Sequence, residues 1–158
     1  VDILLYFEES WRNDWDDNIL IQNENLTQEY FFDFGKKCIS NFYLQNQPFN
    51  DAKPLAVEKF FYLNLSQENI KLQGVIDLLM QSNNGAIQIH DYKTHSILPS
   101  QEQLDKDEQL ALYQLFVQQE FPKAEKIELV WHYVAHAKKF VSTRSSKQLD
   151  NLKKKIQN

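Results

Sequence analysis

A single cysteine, Cys38, excludes an internal disulfide and any four-cysteine zinc or iron-sulfur site within this chain. Three glycines and four prolines in 158 residues leave no long flexible linker and no low-complexity segment. No apolar run approaches the ~20 residues that a membrane helix needs, and no signal-peptide pattern opens the chain. The expectation is a reducing, cytoplasmic setting without a membrane or an iron-sulfur cluster. Methionine is scarce as well: the chain begins at Val1 and its one methionine is Met80, which reads as a piece of a longer protein or a processed chain.

What is present is globular in kind. Hydrophobic residues make up 42% and charged residues 25% of a length that fits one domain, 1–158, with its own core. The net charge of −5 is unevenly spread. Residues 1–34 carry nine acids and one arginine, whereas residues 135–158 carry seven bases against Asp150. Two readings of the basic end stand side by side: a solvated helical face, or a strip that meets phosphates.

Hydrophobic spacing orders the chain. Tyr30, Phe31, Phe34, Cys38, Ile39, Phe42 and Tyr43 recur at three and four, predicting a helix over 27–46 capped by Thr27; an earlier helix falls within 2–20. Leu55–Leu65, Ile70–Met80 and Ala86–Thr94 read as three strands. Ser100 with Gln103 forms a capping box for one helix running to about Gln119, which Phe121-Pro122 stops. Ile127, Leu129, Trp131 and Tyr133 alternate as a fourth strand. Phe140–Thr143 is a short fifth, and Ser145 or Ser146 caps a final helix bearing Leu149, Leu152 and Ile156. No internal repeat is visible.

The chemistry lies in the second and third strands. Asp91 and Lys93 share one strand face by the period of two. A three-residue loop at Asn83-Asn84-Gly85 would set Asp77 directly opposite Asp91; a two-residue loop would set the two acids on opposite faces. Opposed carboxylates repel, and burial raises the pKa of one of them unless a cation intervenes. Mg²⁺ suits such a site because it takes hard oxygen donors, keeps several waters and uses one or two carboxylates beside a substrate phosphate. Lys93 would then orient a water or help to deprotonate it. The plain alternative is a surface ion pair of little consequence, although Asp77 between Val75-Ile76 and Leu78-Leu79 needs a partner of some kind.

Val57-Glu58, Gly74-Val-Ile-Asp77, Asp91-Tyr92-Lys93-Thr94 and Gln109-Leu-Ala-Leu-Tyr113 follow one another along the chain at suitable intervals. Together they resemble the PD-(D/E)XK nuclease superfamily, and within it the RecB-like nuclease domains, over roughly residues 30–145. The resemblance implies an α/β restriction-endonuclease-like αβββαβ core, with a mixed central sheet flanked by helices and an accessory C-terminal strand and helix. It implies Asp77, Asp91 and Lys93 as catalytic residues, and Mg²⁺ or Mn²⁺ held by Asp77, Asp91 and the Tyr92 carbonyl, with Glu58 helping to complete the set directly or through water. Gln109 and Tyr113, four apart on one helix face, would line the site with Thr94 and touch DNA. It further implies a DNA-cleaving hydrolase of repair or recombination, leaving 5′-phosphate and 3′-hydroxyl ends and working with a helicase domain or subunit. Many RecB-like nucleases also carry a metal-binding histidine on the first core helix after a glycine. Gly35-Lys36-Lys37-Cys38-Ile39-Ser40 has none, and His90, His95, His132 and His136 fall elsewhere. Cys38 is a poor Mg²⁺ ligand and reads as core. The alternative is a catalytically silent fold of this type that binds DNA or a partner protein.

Overall fold

Local sequence signals and long-range packing meet at the ends of each element. The computed structural model describes residues 2–65 and 70–157. Asp2 caps α1 (Ile3–Asp14) through the N–H groups of Leu4 and Leu5, and Thr27 caps α2 (Gln28–Asn46) through Tyr30 N–H. Three antiparallel strands follow, β1 (Ala52–Leu65), β2 (Ile70–Ser82) and β3 (Ile87–Lys93). After α3 (Gln101–Asp105) and α4 (Gln109–Glu120) the chain returns as β4 (Ile127–Tyr133), parallel to β3. A 3₁₀ turn (Val134–His136) leads into the antiparallel β5 (Lys138–Ser142), and α5 (Ser146–Gln157) closes the description. The mixed sheet has the order β1-β2-β3-β4-β5, with helices on its faces, as the restriction-endonuclease-like core requires.

The ends of β2, β3 and β5 lie one or two residues from expectation, and two differences are larger. β1 begins three residues early and includes Pro54, which an edge strand tolerates because one row of its N–H groups is unpaired; the register shifts between Pro54 and Ala56. The single helix expected from Ser100 to Gln119 is two helices, interrupted at Lys106-Asp107-Glu108. Ser100 and Gln103 form the expected capping box, but Asp107 Oδ1 accepts Leu110 N–H at 3.1 Å and so starts α4 afresh. The buried Arg144 fixes the break by donating to the carbonyls of Leu104 at 2.5 Å and Asp107 at 2.9 Å.

The main core lies between the sheet and α4 with α5. Ile76, Leu79, Ile89, Leu129, Trp131, Leu110, Val117, Leu149 and Leu152 interlock there. On the other face α2 packs Phe34, Cys38 and Phe42 against Val134, Ala135 and Tyr92. Among the described residues no helix is long and apolar enough to cross a membrane.

Beneath α2, His90 and His132 stack with ring centroids 5.1 Å apart, and His90 Nδ1 lies 2.8 Å from His132 Nε2. Burial above all, with Lys139 nearby, pushes His90 down to about 4; burial, then His90 and Lys139, pushes His132 to about 3. Both rings are therefore neutral in the fold. Their contribution is fully present above the ordinary histidine value of 6.5. As pH falls below 6.5 towards about 4, the unfolded chain gains protons that the fold refuses. Stability should drop there by up to about 1.4 kcal/mol per pH unit for each histidine. Urea midpoints followed against pH should fall less steeply in His132→Phe than in the wild type, and equal slopes would contradict the account.

Candidate active site

Asn83, Asn84 and Gly85 make the three-residue loop. Ser82 N–H donates to Ala86 O and Gly85 N–H to Ser82 O, each at 2.9 Å, and Gly85 takes a left-handed φ of 87°. Gln81↔Ile87, Met80↔Gln88, Leu79↔Ile89 and Leu78↔His90 continue the register expected for facing aspartates. At Asp77 the ladder opens. The Asp77 side chain replaces a backbone partner, its Oδ2 accepting Tyr92 N–H at 3.0 Å.

The opening has a counterpart on β1. The pairs Val57↔Leu78 and Lys59↔Ile76 bracket Glu58 and Asp77, which pair with neither. Glu58 takes a φ of 47°, the left-handed region that a glutamate rarely occupies. Ile76 and Leu79, three residues apart, consequently both enter the same core cluster. Glu58 itself is exposed, and among the described residues it forms no group of three acids with Asp77 and Asp91 that could hold a metal.

Asp91 stands on β3 at 4% exposure, beside Trp131 of β4. Lys93 Nζ reaches its two oxygens at 3.1 and 2.9 Å, the contact with Oδ2 lacking the alignment of a hydrogen bond. The same ammonium donates to Gln109 Oε1 at 3.2 Å, and Gln109 Nε2 donates to Tyr113 Oη at 3.1 Å. Asp91, Lys93, Gln109 and Tyr113 thus form one run of contacts from sheet to helix, with Asp77 beside it. Gly74 permits this approach: a Cβ there would lie 2.6 Å from the Phe61 ring and 3.3 Å from Tyr113. Thr94 is exposed just past β3, and Tyr92 turns its ring the other way, stacking on His132.

Burial raises the Asp91 pKa; the Lys93 hydrogen bond and charge oppose this, and the charges of Asp77 and Asp107 add to it. For Lys93, burial works downward, but the Asp91 hydrogen bond and the charges of Asp91, Asp77 and Asp107 hold it above the ordinary lysine value. Lys93 is an ammonium. Asp107 and Tyr133 enter this field although their spacing gave no sign of it. Tyr133 pairs with Lys93 across β3 and β4, and burial raises its phenol, with Lys93 opposing and Asp91 and Asp107 reinforcing.

The site lacks an imidazole from α2. Cys38 is buried with Val134 and Ala135, and that burial pushes its thiol up. Gly35 serves packing, since a Cβ there would lie 2.5 Å from the Phe7 ring. Among the described residues no three His, Cys, Asp or Glu side chains form a ready-made metal cluster.

A family model for the PD-(D/E)XK nuclease superfamily matches residues 6–158. The chain belongs to that superfamily. A search of curated proteins finds no match to this PD-(D/E)XK chain. Membership points to nuclease chemistry on DNA, and such nucleases generally use divalent metals. The donors here fit such an ion. They are carboxylate oxygens, hard donors of the right kind. One of them, Asp91 Oδ2, is buried without a well-directed hydrogen bond. The gap between the β2 and β3 backbones at Asp77 sets the second carboxylate nearby.

Proposed function

We propose that this PD-(D/E)XK chain is a RecB-like nuclease domain that hydrolyses DNA phosphodiesters with Mg²⁺ or Mn²⁺, in repair or recombination and alongside a helicase domain or subunit. The observation that supports it best is the continuous contact Asp91–Lys93–Gln109–Tyr113 with Asp77 at its edge. A merely structural ion pair would not need a second carboxylate, a ladder opening and a helix-borne amide together.

Asp77 and Asp91 would hold the ion with the Tyr92 carbonyl, and Glu58 would reach it through a water. When bound, the ion supplies Lewis acidity at the phosphate and lowers the pKa of an attacking water. Lys93, held as an ammonium, places positive charge where the phosphate gathers negative charge and orients the water by donating to it. Gln109 keeps Lys93 aimed, since its carbonyl accepts from Nζ while its amide is anchored on Tyr113. Thr94, Gln109 and Tyr113 would contact the DNA backbone.

The test is cleavage of linear and circular, single- and double-stranded DNA in Mg²⁺ or Mn²⁺. Activity that disappears in Asp77→Asn and Asp91→Asn supports the reading, and circular substrates separate endonuclease from exonuclease action. DNA binding without metal binding or cleavage would replace it with the silent, DNA-binding alternative.

A further inference from the structure

The opening at Glu58 and Asp77 decides which side chains the β1–β2 arm beyond it turns outward. Opposed residues of an antiparallel pair share a face. Val57 lies opposite Leu78, on the face that carries His90 and Tyr92. Lys59 lies opposite Ile76, on the core face. Past the left-handed Glu58 the alternation therefore resumes one step displaced, and Phe60 opposite Val75 and Tyr62 opposite Gln73 join Val57 on the outer face. The inner residues of this stretch are covered: Phe61 packs on Tyr113 and Phe116 of α4, and Leu63 is buried. Among the described residues the outer ones are not, since Val57, Phe60 and Tyr62 are 68%, 73% and 66% exposed.

Two bare aromatic rings that begin two residues past the opening suit the bases of a nucleic acid. Alternate residues of a strand stand roughly 6.6 Å apart, about twice the rise per nucleotide of a stacked strand, so neighbouring bases of an unstacked strand can each meet a ring. Every base has a π-face, and stacking on Phe or Tyr tolerates any sequence. Bases inside a duplex already stack on one another and withhold that face. Gln73, exposed beside Tyr62, offers an amide to a base edge, and Lys71, opposite Asn64 one step further along the outer face, offers a charge to a phosphate. The strip thus runs from the carboxylates at the opening to a lysine at its far end. Three exposed apolar side chains bordered by Glu58, Gln73 and Lys71 fall short of the roughly 20 residues that a stable protein interface takes from each side.

We propose that the outer face of the β1–β2 arm, Phe60 and Tyr62 with Lys71, stacks the unpaired bases of single-stranded DNA and leads that strand to the opening at Asp77; this rests on the DNA-cleaving reading above but needs no metal. Its test is fluorescence anisotropy of the whole chain in EDTA with three labelled oligonucleotides: a single strand, a duplex of the same length, and an abasic strand that keeps only sugar and phosphate. Phe60→Leu and Tyr62→Leu keep apolar bulk on an exposed strand face and remove the ring. Each should bind the single strand about 5- to 50-fold more weakly, at an unchanged melting temperature and with duplex binding unaltered. Phe60→Trp should bind at least as tightly as the wild type, and the wild type should hold the abasic strand at least as weakly as the leucine variants hold the normal one. Wild-type affinity in both leucine variants, an equal loss on the duplex, or equal affinity of the wild type for abasic and normal strands overturns the stacking role. A wild type that ignores single strands but self-associates, with Phe60→Asp restoring the monomer, assigns the strip to a protein partner and overturns it too. Ring-dependent binding without metal-dependent cleavage overturns the nuclease reading and leaves the stacking site standing.

Discussion

Lys93→Met should cut DNA cleavage by roughly 10²- to 10⁴-fold, the range spanned by loss of a positioned proton-handling or charge-stabilising side chain. Methionine keeps much of the length and apolar stem of lysine, so the change removes the ammonium and little else. The ammonium is what touches Asp91 at 2.9 and 3.1 Å and Gln109 at 3.2 Å. Two further measurements separate this role from a structural one. Mn²⁺ binding should persist or tighten, because a cation that repels the metal has gone. The metal-free protein should melt lower, since Asp91 at 4% exposure then has no counter-charge, and Mn²⁺ should restore the midpoint. Lys93→Arg should rescue poorly, because a planar guanidinium cannot occupy the place of a compact point charge. Cleavage by Lys93→Met at the wild-type rate would remove Lys93 from the chemistry.

The hairpin was legible because its determinants are local. Asn83-Asn84-Gly85 specifies a loop length, loop length specifies register, and register carries Leu78 onto His90 as the turn demands. The Gln109–Tyr113 pair was legible for a similar reason, as helical spacing alone puts the two on one face. The resemblance to PD-(D/E)XK nucleases added the order of the motifs, and the superfamily match over residues 6–158 agrees with it. What stayed hidden depends on groups distant in sequence. Lys106-Asp107-Glu108 reads as a solvated stretch inside a good helix, and only Arg144, 37 residues later, interrupts it. The left-handed Glu58 is invisible to strand propensity, because it arises from the fit of β1 against the opening at Asp77. His90 and His132 become a buried pair only when β3 and β4 run parallel with Tyr92 opposite His132, which leaves His90 two residues away on the same face.

Arg144 carries the largest expected effect on stability. It is 8% exposed, and its guanidinium donates to the carbonyls of Leu104 and Asp107 and to Ser142 Oγ and the Thr143 carbonyl. Ser142 in turn donates to Asp105 Oδ1 at 2.6 Å, so β5, α3 and the α3–α4 break hang on one side chain. Burial lowers the guanidinium pKa, with Asp105 and Asp107 pulling the other way, yet arginine remains charged at any working pH. Arg144→Met fills similar space but leaves at least two carbonyls without donors, at a cost of about 1–3 kcal/mol each. A total on the order of 4 kcal/mol is a large share of the ~5–15 kcal/mol that holds a domain folded. It should lower the melting temperature by roughly 8–16 °C for a chain of this size. Arg144→Lys should recover only part of that loss, since three donors on one nitrogen cannot span carbonyls that the guanidinium fork reaches separately. Melting of Arg144→Met at the wild-type temperature would mean that α3 and α4 hold their break without it, and the interruption would then belong to Asp107 and its cap alone.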